Sequence, residues 1–364
     1  MRSVPKISVW QLFAVLLLSR LLTLLTYTTL GAEVMQNADY FPAAVFSVLL
    51  ILLFSVMLFV QMRWFPKHDL VDIAYYTSPV FSKIISGLYA FFFLFTALET
   101  LARLELFVST VIFPSRQIAF LVIICVVAAC YAASLGVEAL GRTGAISLGL
   151  FVAVFLFIMV AMADEIDFVN FSPMFYDGVS PSLSAGLAAA TRSAEIMMFS
   201  AMLPQVTGNT KKAYGAWLAA FLGSSLSVFF FVFGGLGYFA LTQLFPIHAV
   251  AVLSELSVFQ RFDVLLTGIW ILSAFVKISF LLYLASAHLQ KSFCPEWKNR
   301  YLAVSGALIA VVQIFFSKNF SDYFYTVGLW QRTVFFAVFA VVLPAIVLFA
   351  ARKKRGGSQN AQAE

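Results

Sequence analysis

The sequence predicts an all-α integral membrane protein with ten transmembrane helices, and its composition and apolar runs carry the prediction. The chain is 62% hydrophobic and only 11% charged, with a mean hydropathy of +0.96. Soluble domains carry about 25% charged residues. Apolar runs near the roughly 20 residues that a crossing needs lie at about 8–30, 42–61, 80–104, 118–135, 144–163, 184–203, 216–241, 264–287, 301–317 and 331–350.

Runs such as Phe151–Val160 and Val228–Phe233 are unbroken, which excludes the alternating segments of about ten residues that form a membrane β-barrel. No polar domain interrupts them, so residues 1–351 are expected to form a single transmembrane domain, followed by a basic and then polar cytoplasmic tail at 352–364. Ten helices divide into repeats at about 8–163 and 184–350. Because each repeat has an odd number of helices, the second is expected to be inverted relative to the first.

The distribution of Lys and Arg along the chain predicts its orientation in the membrane. With both termini in the cytoplasm, fifteen of the 23 Lys and Arg residues fall on the inner side and four on the outer side, as the positive-inside rule requires. The net charge of +6 therefore reflects topology, and no nucleic-acid partner is expected. The run Arg352 to Arg355 is interpreted as a helix anchor in preference to a site for anionic lipid.

The sequence lacks the residue patterns that other classes of function require. The three cysteines and three histidines have no spacing that suggests a disulfide framework or a metal site. A nucleophile elbow, a His-Glu-x-x-His motif and a phosphate loop are all missing from the sequence. We therefore expect no enzyme activity, no cofactor and no metal, and a function within or across the lipid bilayer.

Spans one and six are the candidates for the functional site. In span six, Arg192 and Glu195 lie roughly 12 and 16 Å in from Ser184, near the middle of a hydrocarbon layer about 30 Å thick. Charges at that depth are costly and mark functional sites. Ser193 lies between them, and span one contains Arg20, Thr23, Thr26 and Tyr27. Interrupted helices at corresponding positions of two repeats indicate a substrate pocket.

Several structural interpretations stay open beside this one. Arg192 and Glu195 can neutralise each other at i, i+3. Arg20 can pair with Glu195, and the threonines can bond back to preceding carbonyls and bend the helix.

Two further groups in other spans have alternatives of their own. Glu99 and Arg103 at i, i+4 are typical of an interfacial salt bridge, and the alternative is a role of Glu99 in binding the ligand along its pathway. Lys277 can snorkel to the cytoplasmic surface, or its ammonium can occupy the place of a coupling cation between spans one and eight.

Six short strings are distributed along nearly the whole chain. They are Lys6-Ile7-Ser8 with Gln11-Leu12-Phe13, Arg103 to Phe107 before Phe113-Pro114, Tyr131 through Gly136 to Arg142 before helix five, Asn170-Phe171-Ser172-Pro173, Arg261-Phe262-Asp263 with Ile269-Trp270, and Val276-Lys277-Ile278-Ser279. In this order and spacing they resemble the endospore germination permease family, the B subunits of spore germinant receptors, within the amino acid–polyamine–organocation superfamily.

The resemblance implies a LeuT-like fold and an amino-acid-sized pocket between helices one, three, six, eight and ten. It also implies a small germinant, an amino acid, as ligand, assembly with the A and C subunits of the receptor, and a location in the cell membrane or the spore inner membrane. On carry-over, Glu195 matches the acid of helix six, with Met197, Ser200 and the nearby Ser279 as further pocket residues. The family places a glycine-containing break in helix one, and here Arg20 to Leu30 contains no glycine.

Three functions remain open. A germinant sensor needs partners and little turnover, whereas a secondary active amino acid transporter would move its substrate alone. The glycine-free first helix keeps a third alternative, a scaffold subunit with an inactive pocket.

Overall fold

The computed structural model describes residues 6–26, 37–112, 118–254, 262–293 and 295–360. Over the first predicted repeat the helices are α1 (Val9–Leu25), α2 (Tyr40–Phe54), α3 (Val56–Trp64), α4 (Leu70–Thr77), α5 (Pro79–Phe107), α6 (Ile118–Ser134) and α7 (Val137–Ala161). Over the second they are α8 (Ser180–Ala190), α9 (Glu195–Met202), α10 (Thr210–Leu236), α11 (Pro246–Leu253), α12 (Phe262–Ser292), α13 (Lys298–Thr326), α14 (Leu329–Ala337) and α15 (Leu343–Asn360).

These helices account for all ten predicted spans. Seven described helical stretches are long and apolar enough to cross a membrane, and α1 and α6 are shorter apolar helices. The remaining span, span six, is the pair α8 (Ser180–Ala190) and α9 (Glu195–Met202). Two pairs form single spans: α2 continues into α3, and α14 is joined to α15 by a π-helical turn at Val338–Val342.

Some predicted boundaries are wrong. Span five begins at Val137 rather than at about 144, so the string Gly136 to Arg142 lies largely inside α7. Gly136 has φ +92°, a conformation that glycine adopts readily, and it separates α6 from α7. The expected connections after spans two and seven contain the short helices α4 and α11, and the tail is helical as far as Asn360.

A short parallel strand pair fixes the start of span one beside the end of span six. The strand β1 (Ile7–Ser8) pairs with β2 (Val206–Thr207). Ser8 then caps α1, since its hydroxyl accepts from the Gln11 amide while the Gln11 side chain accepts from the Ser8 amide. This capping box satisfies two of the free N–H groups at the helix start. The entry of α1 is therefore held next to the exit of α9.

Span six is broken between Ala190 and Glu195. Its first half ends at a free helix terminus inside the protein, where the Arg20 guanidinium donates to the carbonyl oxygen of Ala189 at 2.9 Å. Arg20 is 1% exposed, and its guanidinium lies 4.1 Å from the centre of the Phe221 ring. A cation at a helix C-terminus interacts favourably with the carbonyls there. Arg20 therefore caps the first half of span six, and the direct contacts described for its guanidinium are with Ala189 and Phe221.

A charged cluster ties α4 to the end of α12. The Lys291 ammonium forms an ion pair with Asp69 and another with Asp72, the latter at 3.0 Å. Burial favours the neutral acid, but the Lys291 charge outweighs it and holds the pKa of Asp69 below its usual value. We call this end of the bundle, with β1, β2, α4 and Lys291, the basic face. The same end includes Gln205, which accepts from the Tyr283 hydroxyl.

We expect Gly144→Ala to destabilise the protein by about 1–3 kcal/mol. An added Cβ would lie 2.4 Å from Cγ2 of Val15 on α1, and a β-branched side chain has little freedom to move away. Gly149→Ala on the same helix is the matched control, because a Cβ there has nothing within 4 Å. Thermal melting in detergent measures both, and equal melting temperatures would contradict close α1–α7 packing.

We expect Lys291→Met to lower the melting temperature at neutral pH by leaving the Asp69 carboxylate buried without its cation, a loss of about 1–3 kcal/mol. The native pKa of Asp69 is depressed, so its stabilising contribution is present above the unfolded pKa of about 4 and lost below it. The gap between wild type and variant should therefore stay constant above about pH 4 and shrink as the pH falls below it. The exposed Lys83 provides the control Lys83→Met, and a gap that does not change with pH would refute this account.

Candidate functional site

Glu195 is the first residue of α9 and is fully buried, with an exposure of 0%. Its Oε1 accepts a hydrogen bond from the Ser19 hydroxyl of α1 at 2.6 Å. The same oxygen lies 3.7 Å from the Lys277 ammonium of α12. The second oxygen, Oε2, is buried without a hydrogen-bond partner. One carboxylate thus joins the broken span six to spans one and eight.

Lys277 points into the protein and not to the membrane surface. Its side chain is 6% exposed, so the snorkelling alternative is wrong. Besides approaching Glu195, its ammonium donates to the Thr23 hydroxyl at 3.1 Å and contacts the Ser19 carbonyl oxygen at 3.4 Å. A backbone carbonyl, a hydroxyl and a carboxylate are the oxygen ligands that hard cations take. The ammonium lies between α1 and α12, where the sequence placed a tethered cation.

Arg192 and Glu195 do not pair, because the polar partners of the Glu195 carboxylate are Ser19 and Lys277. The helix break between the two residues turns their side chains to different surroundings. Arg192 faces a cavity that Glu99 and Arg103 also line. Glu99 and Arg103 themselves form the expected i, i+4 ion pair at 2.9 Å. The prediction that Arg192 is the counter-ion of Glu195 is therefore wrong.

The cavity beside Arg192 is polar and narrow. Its volume is about 20 Å³, which is room for about one water molecule. The lining combines side chains from spans one, three, six and eight, namely Leu22, Thr23, Thr26, Thr96, Glu99, Thr100, Arg103, Leu104, Arg192, Trp270, Ala274 and Lys277. Three cations and one acid face a group of hydroxyls, an arrangement that suits a small ligand carrying a carboxylate.

A second cavity of about 80 Å³ shares Thr96, Glu99 and Arg192 with the first. It is closed on its other side by spans six and ten through Thr191, Ala194, Gln331, Arg332, Phe335 and Phe336. Glu99 and Arg192 therefore stand at the boundary between the two spaces. Both spaces are smaller than typical ligand pockets of about 300–1,000 Å³, so ligand entry requires side chains or a half-helix of span six to move.

Some of the remaining predicted site residues lie at the cavity or at the break of span six, and others form hydrogen bonds or packing contacts elsewhere. Thr26 lines the first cavity and bonds back to the Leu22 carbonyl at 2.9 Å, and Ser193 is buried within the break. Ser200 donates to the Gln61 side chain of α3 at 2.7 Å, and Ser279 to the Phe275 carbonyl of its own helix at 2.6 Å. Met197 is buried in the core, and Tyr27 lies outside the described residues.

Sequence reasoning missed Ser19, Thr96 and Thr100 as members of the site. Thr96 and Thr100 are one helical turn apart and lie on the same face of α5 as Glu99 and Arg103. The i, i+3, i+4, i+7 spacing of these four polar residues within an apolar span was a signal that could have identified the face. Ser19 carried no such signal, because its role depends on the position of α9.

A solved structure of Mhp1, a nucleobase-cation-symport-1 family transporter in a closed conformation with bromovinylhydantoin bound, matches 95% of this chain and 78% of its own. The TM-score is 0.64 and the identity 13%, so the likeness concerns the fold. It confirms a LeuT-like helical membrane fold. A sequence comparison with curated proteins finds no match.

The family profile named spore germination protein matches residues 6–321. The match begins just before β1 and continues into α13, and it includes every span that lines the cavity of Arg192 and Lys277. This confirms the family indicated by the sequence strings. The chain belongs to the spore germination protein family.

Proposed function

We propose that this protein is the membrane subunit of a spore germinant receptor, and that it binds a small germinant, an amino acid, at the break of span six. The observation that carries the proposal is the contact of Glu195 with both Ser19 and Lys277, next to a cavity lined by Glu99 and Arg192. Family membership supports the role in germination. Because these charged contacts link three spans, a shift of one span would change the contacts of the other two.

The chemistry of the cavity suggests how an amino acid would be held. Arg192 and the unwound backbone Thr191 to Ala194 offer donors for the carboxylate, and Glu99 offers an acceptor for the ammonium. Glu195 and Lys277 lie beside this space and connect it to α1 and α12. A ligand that favours one position of α9 over another shifts the population of the two states by its differential affinity.

Lys277 favours a sensor over a sodium-driven transporter. Its ammonium is already surrounded by the Ser19 carbonyl, the Thr23 hydroxyl and the Glu195 carboxylate, so a covalently attached cation takes the place that an exchangeable one would need. The subunit would then lie in the spore inner membrane with both termini in the cytoplasm and assemble with the A and C subunits.

A secondary active amino acid transporter is the second candidate, favoured by the likeness to a transporter fold. The scaffold alternative rested on the glycine-free first helix. That helix is continuous from Val9 to Leu25, and the hydroxyls of Thr23 and Thr26 line the cavity without an internal break. The contacts of Thr23 and Ser19 with Lys277 give the first helix a direct connection to the site, which supports an active pocket.

We expect Glu195→Gln to impair the germination response more than expression. Glutamine keeps the shape and can still accept from Ser19, but it removes the charge that faces Lys277. Lys277→Met should abolish the response while the protein still folds. If Glu195 and Lys277 serve only to neutralise each other, the double variant Glu195→Gln, Lys277→Met should regain a wild-type response. Spore germination rates at several germinant concentrations, with immunoblots for expression, measure these effects.

The sensor and the transporter differ in uptake. For purified protein in liposomes, the sensor proposal predicts accumulation of labelled amino acids no greater than in protein-free vesicles. Spores of a deletion strain should meanwhile lose their response to the cognate germinant. Robust uptake together with normal germination of the deletion strain would overturn the proposal in favour of the transporter.

A further inference from the structure

A pocket separate from the central site lies on the basic face, between the end of α3, α4 and α15. Its volume is about 400 Å³, larger than that of either cavity beside Arg192. The lining residues are Trp64, Phe65, Pro66, His68, Tyr76, Ala351 and Lys354. The pocket thus combines aromatic walls with a lysine, and nothing in the germinant-binding scheme uses it.

The open side of this pocket adjoins the surface that faces lipid. Tyr76 is 52% exposed, and Phe349, one turn before the pocket on α15, is 54% exposed. Phe349 packs edge-on against Trp64 with ring centres 5.4 Å apart. Trp and Tyr concentrate at the membrane–water boundary. The pocket therefore lies where an acyl chain and its headgroup meet.

Two cations are held at the pocket by contacts of their own. The Arg352 guanidinium lies 4.2 Å from the centre of the Trp64 ring. The Lys354 ammonium donates to the Thr77 carbonyl at the end of α4 at 2.7 Å. Both side chains are exposed, and these contacts place their charges at the rim. Long basic side chains that are fixed in this way need not lose much conformational entropy when an anion binds.

The surroundings of the pocket are positive. Arg63 and Lys67 are exposed on the same segment of chain. The acids of the adjoining α4 segment, Asp69 and Asp72, are engaged by Lys291. An anion at the rim would therefore meet several cations, while the neighbouring carboxylates are already compensated. A positive surface at the membrane boundary attracts anionic lipid headgroups.

We propose that this pocket binds the headgroup of an anionic phospholipid. The phosphate lies at Arg352 and Lys354, the glycerol backbone lies against Trp64 and Tyr76, and one acyl chain runs along the exposed side of α15 past Phe349. A membrane lipid is the proposed occupant, because aromatic side chains typical of the membrane–water boundary line the pocket and its charge complements an anion. The basic run Arg352 to Arg355 at the end of span ten would then bind lipid as well as anchor the helix.

The test uses the full chain, purified and placed in nanodiscs of phosphatidylcholine with a titrated fraction of phosphatidylglycerol of the same acyl chains. Bound lipid is counted by native mass spectrometry, and thermal melting is followed in parallel. We expect retention of one phosphatidylglycerol and a rise in melting temperature with its mole fraction. The double variant Arg352→Gln, Lys354→Gln should weaken this retention by about tenfold or more.

The control Lys211→Gln, Lys212→Gln removes the same charge from exposed residues at the start of α10 on the basic face and should leave retention unchanged. Equal loss in the control would reduce the effect to general attraction and overturn the proposal. Equal retention of phosphatidylcholine would also overturn the proposal. Full competition by soluble glycerol phosphate would overturn it too, because it would indicate a site for free anions. Unchanged lipid retention with failed receptor assembly in the double variant would assign the pocket to a protein partner instead.

Discussion

The structure depends on one arrangement of charge within the bilayer, the carboxylate of Glu195 held between the Ser19 hydroxyl and the Lys277 ammonium. Removing two ions from water costs several kcal/mol for each, and a neighbouring charge offsets this cost only when the geometry is good. The contact therefore requires α1, α9 and α12 to meet at one place. The strand pair β1–β2 and the α1–α7 packing both act to keep α1 there.

The break in span six makes this arrangement possible. A continuous helix would place Arg192 and Glu195 on nearly the same face, whereas the break directs Arg192 to the cavity with Glu99 and Glu195 to Lys277. Arg20 caps the half-helix that the break leaves behind. The two charges thus have separate contacts, and α9, the half-helix after the break, is only eight residues long.

The tethered cation supports the proposed sensor. The Lys277 ammonium belongs to the chain and, under this proposal, takes the place that the exchangeable ion of a transporter cycle would need. A ligand can still change the balance of two states through the same contacts. The proposed lipid pocket is lined in part by α4, which Lys291 joins to the end of α12. Because α12 also carries Lys277, one long helix connects the lipid pocket to the central site.

The sequence by itself determined the membrane class, the ten spans and the family, because these follow from hydropathy, spacing and local strings. It also identified Arg20, Glu99, Arg192, Glu195 and Lys277 as the residues that need explaining. Only the tertiary structure decided which of them pair, since a buried carboxylate has several cations within reach along the chain and the packing of α1, α9 and α12 selects one. Thr96 and Thr100 entered the site for the same reason: a hydroxyl in an apolar helix acquires a role only from the helix that packs against it.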